Sequence, residues 1–465
     1  MSIQFIIVLA YIAFLFGISM YAKKRASTST GFLFAGRKLT ALLVATNITG
    51  IAVGAASTIG VAENAFKVGI GAGWYNGAWA AGAVVMALVA ADRYRRMECT
   101  TIPELFERYY DKKARIISVV GLITIQIVIT SLQYVAGGAI LSTLLPDMFS
   151  FHGGMLMSAL VFIGTTLIGG LWSAGLANVV SVVIIYIGIL ISTMLTVEHA
   201  GGFDGMMASL PQNVGWFDPI GPLGIATVVG WFVVMITQAL SAQAPVQVAC
   251  AAADGKTAKR GFLLGALLIF PIGFLCAIMG IAAKAMHPEI SATMALPQMI
   301  MALDPFVSGI TLAALWAADV STACALLLGA GTLFSQDIFK RFIRPNIDEK
   351  GYTRVNRIAI LGIGLMTLWL AFNAVGILKT MLIGLSLTTA FTLVFLMTMF
   401  APSLCRKNTP FYTTLAGMIA LVAWQVCPDV RVFAHPIYMQ WLVCAVTFFI
   451  VMIVDKQKIK EIKYK

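Results

Sequence analysis

Long apolar segments recur along this chain, and the one at residues 311–334 shows most clearly what they imply. It reads TLAALWAADVSTACALLLGAGTLF and carries a single charge, on Asp319. A segment of this length and apolarity is typical of a helix that crosses a lipid bilayer. The chain is 60% hydrophobic and only 11% charged, which predicts an all-α, multi-pass membrane protein and not a soluble globular one.

Thirteen segments are predicted to span the membrane. Their approximate limits are 3–22, 39–62, 71–91, 116–145, 152–174, 176–197, 222–247, 261–286, 306–334, 358–378, 380–402, 410–427 and 436–454. In this arrangement 28 of the 32 lysines and arginines lie on one side of the membrane, and the positive-inside rule makes that side the cytoplasm. The pattern therefore predicts an external N-terminus and a cytoplasmic C-terminus, in the plasma (inner) membrane.

The remaining composition argues against several other classes of protein. The formal net charge of +12 arises from these cytoplasmic loops, so it does not indicate a nucleic-acid partner. The seven cysteines show no paired spacing and the four histidines are scattered, so neither a disulfide framework nor a transition-metal site is predicted. No Ser-His-Asp set or carboxylate pair can converge, which argues against an enzyme.

Residues 1–465 are predicted to form a single transmembrane transporter domain with four parts. These are an extra N-terminal span at 1–38, a first five-helix repeat at 39–200, a second at 220–402, and two C-terminal spans with a basic tail at 403–465. The second span starts in the cytoplasm and the seventh starts outside, so the two blocks have opposite orientation. The opposite starting sides of the two five-span blocks are the only basis for predicting a five-plus-five inverted repeat, the architecture of many secondary transporters.

Polar residues at the centre of the 311–334 span mark an ion or solute pathway. Ala318, Ser321 and Thr322 lie at positions i, i+3 and i+4, so they share one face of the helix. Two hydroxyls and a nearby carbonyl are oxygen ligands that a small alkali cation accepts. Alternatively, the hydroxyls bond back to carbonyls one turn earlier or join two helices.

The second span, residues 39–60, combines three glycines with small polar residues, among them Thr46, Asn47, Thr49, Ser57 and Thr58. A break in the helix between Gly50 and Gly54 would release carbonyl oxygens for a cation and aim a half-helix N-terminus at an anionic group. The alternative is that the same two glycines permit close helix packing. The residues alone leave both interpretations open.

Three motifs, taken in their order and spacing, resemble the sodium:solute symporter family. They are Phe34-Ala35-Gly36-Arg37-Lys38-Leu39 followed by Gly60, then Thr101-Ile102-Pro103-Glu104-Leu105 with Arg108-Tyr109, then Val320-Ser321-Thr322 with Ser335-Gln336-Asp337-Ile338-Phe339-Lys340. The resemblance extends through residue 402. It implies the LeuT-type inverted repeat and the coupling of sodium to the uptake of a small organic solute.

The resemblance also implies a sodium site at the residues that the bare chemistry singled out. Its ligands would be the backbone carbonyls of Gly50, Val53 and Ala318 and the hydroxyls of Ser321 and Thr322. Members with a second sodium site use an Asp in the sixth span and further hydroxyls. In this chain the positions that resemble that second site hold Asn178, Cys324 and Ala325, which lack the carboxylate and the hydroxyls. One sodium per cycle is therefore expected.

Polar and aromatic residues of the core spans are candidates for solute binding. They are Ser57, Trp74, Asn76, Gln133, Gln243, Gln247 and Asp319. Alternatively, any of these residues could serve only to hold two helices together, and Trp74 could belong to the aromatic belt at the membrane interface. Asp319 departs from the family's small or apolar residue. It is interpreted as a counter-charge for a cationic solute, a proton or ion relay, or a residue satisfied by a neighbouring helix.

The predicted function is a sodium-coupled secondary active transporter that imports a small organic solute by alternating access. One alternative is a proton-coupled transporter of the same fold that uses Asp319. The other is a transporter-like sensor without transport, which the short Lys-rich tail disfavours because it leaves no room for an output domain. That tail is expected to contact anionic lipid.

Overall fold

The computed structural model describes residues 3–23, 29–97, 101–212, 214–373 and 377–459, and this part of the chain is helical without β-strands. Part of the predicted cytoplasmic charge, at residues 24–25 and 460–465, lies outside the described residues. The principal helices are α1 Ile3–Lys23, α2a Ala41–Ala52, α2b Ala56–Val68, α3 Ile70–Met97, α4 Lys112–Leu144, α5 Phe151–His199, α6a Ile225–Ser241, α6b Gln243–Ala251, α7 Gly255–Met286, α8 Pro305–Ile343, α9 Glu349–Ala371, α10 Ile377–Ser386, α11 Thr388–Phe400, α12 Thr409–Val426 and α13 Pro436–Val454.

The all-α membrane architecture is confirmed, whereas the count of thirteen spans is not. The described residues contain nine helices that are long and apolar enough to cross a membrane, or eleven if each of two bent pairs forms one span. Helix α5 supplies two of the nine, at Phe151–Ile168 and Asn178–His199. Helices α1 and α12 coincide with the first and twelfth predicted spans, but in the part of the chain that the structure describes they are not among the helices that are long and apolar enough to cross a membrane. Helix α12 contains Thr, Tyr, Trp and Gln residues that lower its apolarity.

Local sequence determines where several helices begin, because side chains there accept hydrogen bonds from the otherwise unpaired first N–H groups. Asp111 accepts from Ala114 at the start of α4, over 2.9 Å. Asp254 accepts from Thr257 at the start of α7, over 2.7 Å. Asp304 does the same for α8, and Pro305 follows it at the first helical position.

Helix α8 lies at the centre of the molecule. In its most apolar 18-residue stretch, 94% is buried inside the protein, whereas the corresponding share for α13 is 28%. Helix α8 packs against α4, α5 and α9, and α2a packs against α5, α7 and α8. The polar cluster of residues 318–322 is thus enclosed by protein and does not face lipid.

Two helices are broken, and they occupy equivalent places in the two predicted blocks. Helices α2a and α2b meet at 59°, and α6a and α6b meet at 49°. Each pair is the first helix of its five-helix block. Paired discontinuous helices of this kind are typical of inverted-repeat transporters, in which the broken segments form the binding sites.

Candidate functional site

The break in the second span falls at residues 53–55, between α2a and α2b. Val53 leaves the helical conformation, with φ −92° and ψ 68°. The side-chain oxygen of Gln133, on α4, accepts a hydrogen bond from the backbone N–H of Ala55 over 2.9 Å. A side chain from another helix therefore satisfies one of the donors that the break exposes.

Oxygens from two helices converge beside this break. The Thr322 hydroxyl donates to the carbonyl of Gly50 at 2.5 Å and lies 3.0 Å from that of Ala318. The Ser321 hydroxyl lies 2.9 Å from the Ala318 carbonyl and 3.4 Å from that of Gly50. The two hydroxyls thus bond back to a carbonyl one turn earlier and also join α8 to α2, which is the arrangement that the alternative interpretation predicted. The same contacts bring together the oxygens of four of the five residues predicted to bind sodium, and Val53 lies buried at the adjoining break.

Glycines allow the two helices to approach this closely. A methyl group added at Gly54 would lie 2.5 Å from the Thr322 hydroxyl oxygen and 2.6 Å from the side-chain oxygen of Gln133. A methyl group at Gly50 would overlap the amide of Asn178, on α5. Close packing and the helix break were alternatives in the sequence, and the structure combines them at one place.

Asp319 is buried one turn before Thr322, and its side chain is 1% exposed. Neither carboxylate oxygen has a hydrogen-bond partner in the part of the chain that the structure describes. The interpretation in which a neighbouring helix satisfies Asp319 therefore receives no support. A buried carboxylate without a partner is costly, so Asp319 stays a candidate for a role in binding.

Three of the solute-binding candidates already form hydrogen bonds that stabilise the fold. The Ser57 hydroxyl donates to the carbonyl of Ala52 across the break. Trp74 donates to the Pro219 carbonyl over 2.9 Å and packs among aromatic rings. Gln247 donates to the Leu33 carbonyl over 2.6 Å, joining α6b to the segment that precedes α2a.

Two of the other candidates, Gln133 and Gln243, lie at the broken helices, whereas Asn76 lies on α3 against α7. The Gln133 side chain accepts its hydrogen bond from Ala55, at the break in α2. Asn76 donates to the Ile269 carbonyl over 3.2 Å, while its side-chain oxygen has no partner among the described residues. Gln243 is the first residue of α6b and is fully buried. These residues, together with Asp319, remain candidates for contact with a solute.

The structure also singles out buried polar atoms that the sequence analysis did not consider. Within the described residues, both polar atoms of Gln126 and the hydroxyl of Thr389 have no hydrogen-bond partner. Gln126 lies beside Gly329 of α8, and Gln243 approaches the same glycine. An amide inside an apolar span is itself a signal in the sequence, and on that ground Gln126 joins the candidates for contact with a solute.

An ion-pair network stabilises the predicted cytoplasmic end of the same helices. Arg115, at the start of α4, lies 2.5 Å from Asp337 of α8 and 2.5 Å from Glu107 of the loop helix Ile102–Tyr109. Arg341 binds the same Glu107 carboxylate at 2.6 Å. Burial raises the pKa of Glu107, but its bonds to the two arginines outweigh that effect and hold the pKa below its ordinary value.

Two broken helices in equivalent positions, with an oxygen cluster at one break, define the class of ion-coupled secondary transporters. The sequence profile of the sodium:solute symporter family matches residues 32–420. The chain belongs to the sodium:solute symporter family, and it is a sodium-coupled transporter and not an enzyme. The comparisons give no support to the proton-coupled alternative or to the sensor.

Several relatives align over most of their length. The sodium/glucose cotransporter of Vibrio parahaemolyticus is 27% identical over 390 residues, covering 75% of this chain and 71% of the relative. The sodium/pantothenate symporter of Escherichia coli is 25% identical, and the alignment covers 78% of each chain. The high-affinity proline transporter PutP of Bacillus subtilis is 22% identical over 77% of this chain and 78% of its own.

Solved structures show the same fold at low sequence identity. A Na+-coupled sialic acid symporter, solved substrate-bound and outward-open, matches with a TM-score of 0.82 at 15% identity, over 100% of this chain and 99% of that one. A nucleobase-cation-symport-1 family transporter in a closed conformation matches with a TM-score of 0.63 at 12% identity, over 91% and 93%. The fold is therefore that of the inverted-repeat transporters.

Proposed function

We propose that one sodium ion binds between α2 and α8, held by the carbonyls of Gly50, Val53 and Ala318 and the hydroxyls of Ser321 and Thr322. The observation that carries this proposal is the convergence of four of these oxygens beside the helix break. The hydroxyls now donate to the two carbonyls. Sodium would replace those hydrogen bonds, because each of the same oxygens can turn a lone pair to a cation.

The ion would couple binding to a change of conformation. Sodium bridges a broken helix and an intact one, so its binding favours the arrangement in which the two helices are close together. Solute and sodium would enter from outside, and loss of sodium to the sodium-poor cytoplasm would release the solute there. A membrane potential of about 100 mV contributes about 2.3 kcal/mol per sodium, and a tenfold gradient adds about 1.4 kcal/mol.

A second sodium is not part of this proposal. Asn178 carries no charge, and the Cys324 thiol lies 3.1 Å from the hydroxyl of Thr165. Neutral amide and thiol groups are poorer partners for sodium than the carboxylate and hydroxyls they would replace. One sodium per cycle is therefore the stoichiometry that these residues favour.

The solute is proposed to be a small polar organic molecule bound beside the two breaks. The solutes named for the relatives, glucose, pantothenate and proline, share that description. Gln133 and Gln243 supply amide groups at the breaks. Asn76 of α3 is the further candidate, and a bound solute that reached it would satisfy its unpaired oxygen. We place the protein in the plasma membrane, as suits a carrier driven by the sodium gradient.

Thermal unfolding of the purified protein in sodium and in potassium, at equal ionic strength, tests the sodium site. A ligand that binds only the folded state raises the unfolding temperature. We expect a rise specific to sodium that Thr322→Ala abolishes and Ser321→Ala weakens, with at least tenfold more sodium needed for half of the effect.

The same helix provides a matched control. Thr332 is fully buried, and its hydroxyl bonds to the Leu328 carbonyl one turn earlier over 2.7 Å, so it has no part in the oxygen cluster. Thr332→Ala is expected to keep the sodium response of the unaltered protein. A sodium response that survives in Thr322→Ala at an unchanged concentration would refute the proposed site.

A further inference from the structure

Three carboxylic acids are buried in the part of the chain that the structure describes, and two of them have a cationic partner. Glu63 lies 3.2 Å from the ammonium group of Lys67, and Asp337 lies 2.5 Å from the guanidinium group of Arg115. Asp319 has no such partner among the described residues. An ionised Asp319 therefore requires a cation that these residues do not supply.

The proposed sodium site, in contrast, lacks a negative charge to balance the ion. All five of its ligand atoms are neutral oxygens, from three carbonyls and two hydroxyls. Ser321 is 4% exposed and Thr322 is 2% exposed, so a sodium ion bound there would be out of contact with bulk water. A buried monovalent cation with only neutral ligands leaves a positive charge uncompensated, which limits its affinity.

We propose that Asp319 supplies the negative charge that balances this sodium ion, an inference that rests on the proposed function above. Asp319 and Thr322 are three residues apart on one helix, a spacing that brings side chains to within about 5–6 Å of each other. The carboxylate does not have to touch the ion. At that separation in a protein interior, its field strengthens sodium binding through space.

The neighbours of Asp319 on α8 indicate where its side chain lies. Three residues earlier, Trp316 donates to the hydroxyl of Ser158 over 2.8 Å and lies beside Gly137 of α4. Three residues later, Thr322 faces the break in α2. Asp319 is midway between them in sequence, so it lies on the intervening face of the helix, at the edge of the ion site.

A cationic group of the solute is the competing partner for Asp319. Sodium is favoured because helix geometry ties Asp319 directly to Thr322, a proposed ligand. No described contact ties it to Asn76 or Gln243, which are candidates for the solute pocket. The two partners make different predictions, because a counter-charge for sodium changes sodium affinity even when no solute is present.

The sodium concentration that gives half of the rise in unfolding temperature is the quantity to measure. Purified protein without solute is titrated in mixtures of sodium and potassium at constant ionic strength. A unit charge about 6 Å from the ion, at an effective dielectric constant of about 20, corresponds to roughly 100-fold in affinity. Asp319→Asn, which keeps the shape and removes the charge, is expected to raise this concentration by roughly 10- to 100-fold.

Asn178 offers a rescue that separates charge from shape. Its amide lies against Gly50, on another side of the oxygen cluster, and it is 2% exposed. Asn178→Asp combined with Asp319→Asn returns one negative charge to the site from a different helix. The double variant is expected to recover most of the lost sodium affinity. Thr322→Ala added to this double variant is expected to abolish the recovered response, since a sodium ion bound at the new carboxylate by itself would not depend on Thr322. A double variant as weak as Asp319→Asn alone would contradict a role for charge.

The remaining outcomes are distinguishable. An unchanged half-maximal sodium concentration in Asp319→Asn overturns the inference, and loss of solute binding alongside that result assigns the carboxylate to the solute. The unfolding transition of each variant in potassium shows whether it is folded. If Thr322→Ala also keeps the full sodium response, sodium binds elsewhere, and the proposed site fails together with the role of Asp319.

Discussion

At the scale of single residues, the proposed ion site depends on the absence of a side chain at Gly54. The glycine lets the break in α2 lie directly against Thr322 and Gln133, which come from two other helices. Packed interiors absorb even one extra methyl group poorly, because the neighbours are held by their own contacts. The geometry of the oxygen cluster is therefore sensitive to a very small change at this position.

Gly54→Ala is expected to destabilise the protein by about 1–3 kcal/mol and to abolish the sodium-specific rise in unfolding temperature. The added methyl would lie 2.5 Å from the Thr322 hydroxyl oxygen and would push a proposed ligand out of place. Thermal unfolding in sodium and in potassium measures both effects.

Gly362, in α9, is the control for Gly54. No atom lies within 4 Å of a methyl group added there. Gly362→Ala is expected to leave the sodium response unchanged and to be neutral or stabilising by up to about 1 kcal/mol, because alanine favours a helix. A sodium response in Gly54→Ala equal to that of Gly362→Ala would show that close packing at the break is unimportant.

At the scale of secondary-structure elements, Glu107 joins three segments that are distant in sequence. Its carboxylate binds Arg115 at the start of α4 and Arg341 at the end of α8, and it belongs to the short loop helix. The Arg115 side chain is 6% exposed, so loss of an acidic partner would leave a buried positive charge less well compensated. The network thus joins the predicted cytoplasmic ends of α4 and α8, the helices that carry Gln133 and Thr322.

Glu107→Gln is expected to destabilise the protein by about 1–3 kcal/mol at neutral pH, between the values for exposed and buried pairs. Because the pKa of Glu107 is lowered in the folded state, its contribution is fully present above the ordinary pKa of a glutamate. That contribution is lost as the pH falls through the lowered pKa. The difference in unfolding temperature between the two proteins should therefore shrink with increasing acidity.

Arg96→Gln serves as the control for that measurement, because it breaks an exposed pair with Asp92 in which the Arg96 side chain is 65% exposed. Exposed pairs contribute about 0–1 kcal/mol. A Glu107→Gln variant as stable as Arg96→Gln at neutral pH would mean that the network does not hold the helices together.

At the scale of the whole molecule, two broken helices in equivalent places suit alternating access around a central site. With one sodium and an uncharged solute, each cycle would move one positive charge inward. The two driving forces, about 2.3 kcal/mol per 100 mV and about 1.4 kcal/mol per tenfold sodium gradient, would then add. Together they would concentrate a neutral solute by nearly three orders of magnitude.

In proteoliposomes, the steady-state accumulation of a neutral solute is expected to rise tenfold for each tenfold increase in the sodium gradient at fixed potential. It is also expected to rise tenfold for each increase of about 60 mV in the potential. Radiolabelled uptake with imposed gradients measures both slopes. A hundredfold rise per tenfold gradient would show that two sodium ions move, contrary to the stoichiometry inferred from Asn178 and Cys324.

The sequence by itself determined the class of fold, the places of most spans and the helix face that carries Ala318, Ser321 and Thr322, whereas the particular carbonyls of the second span came from the family resemblance. The physical reason is that the bilayer acts locally. A helix that crosses it needs a continuous apolar segment, and any polar residue inside that segment stands out. The i, i+3, i+4 spacing of Ala318, Ser321 and Thr322 and the glycines of the second span could therefore be read without coordinates.

Only the tertiary structure decided which polar residues are already bonded. Trp74 and Gln247 donate hydrogen bonds to carbonyls that are 145 and 214 residues away in sequence. The spacing of residues could therefore not show that these two side chains already have partners. The break in α6 and the absence of a described partner for Asp319 also became visible only after the helices were packed. Whether a buried polar group is satisfied depends on contacts between distant segments, and no local pattern contains that information.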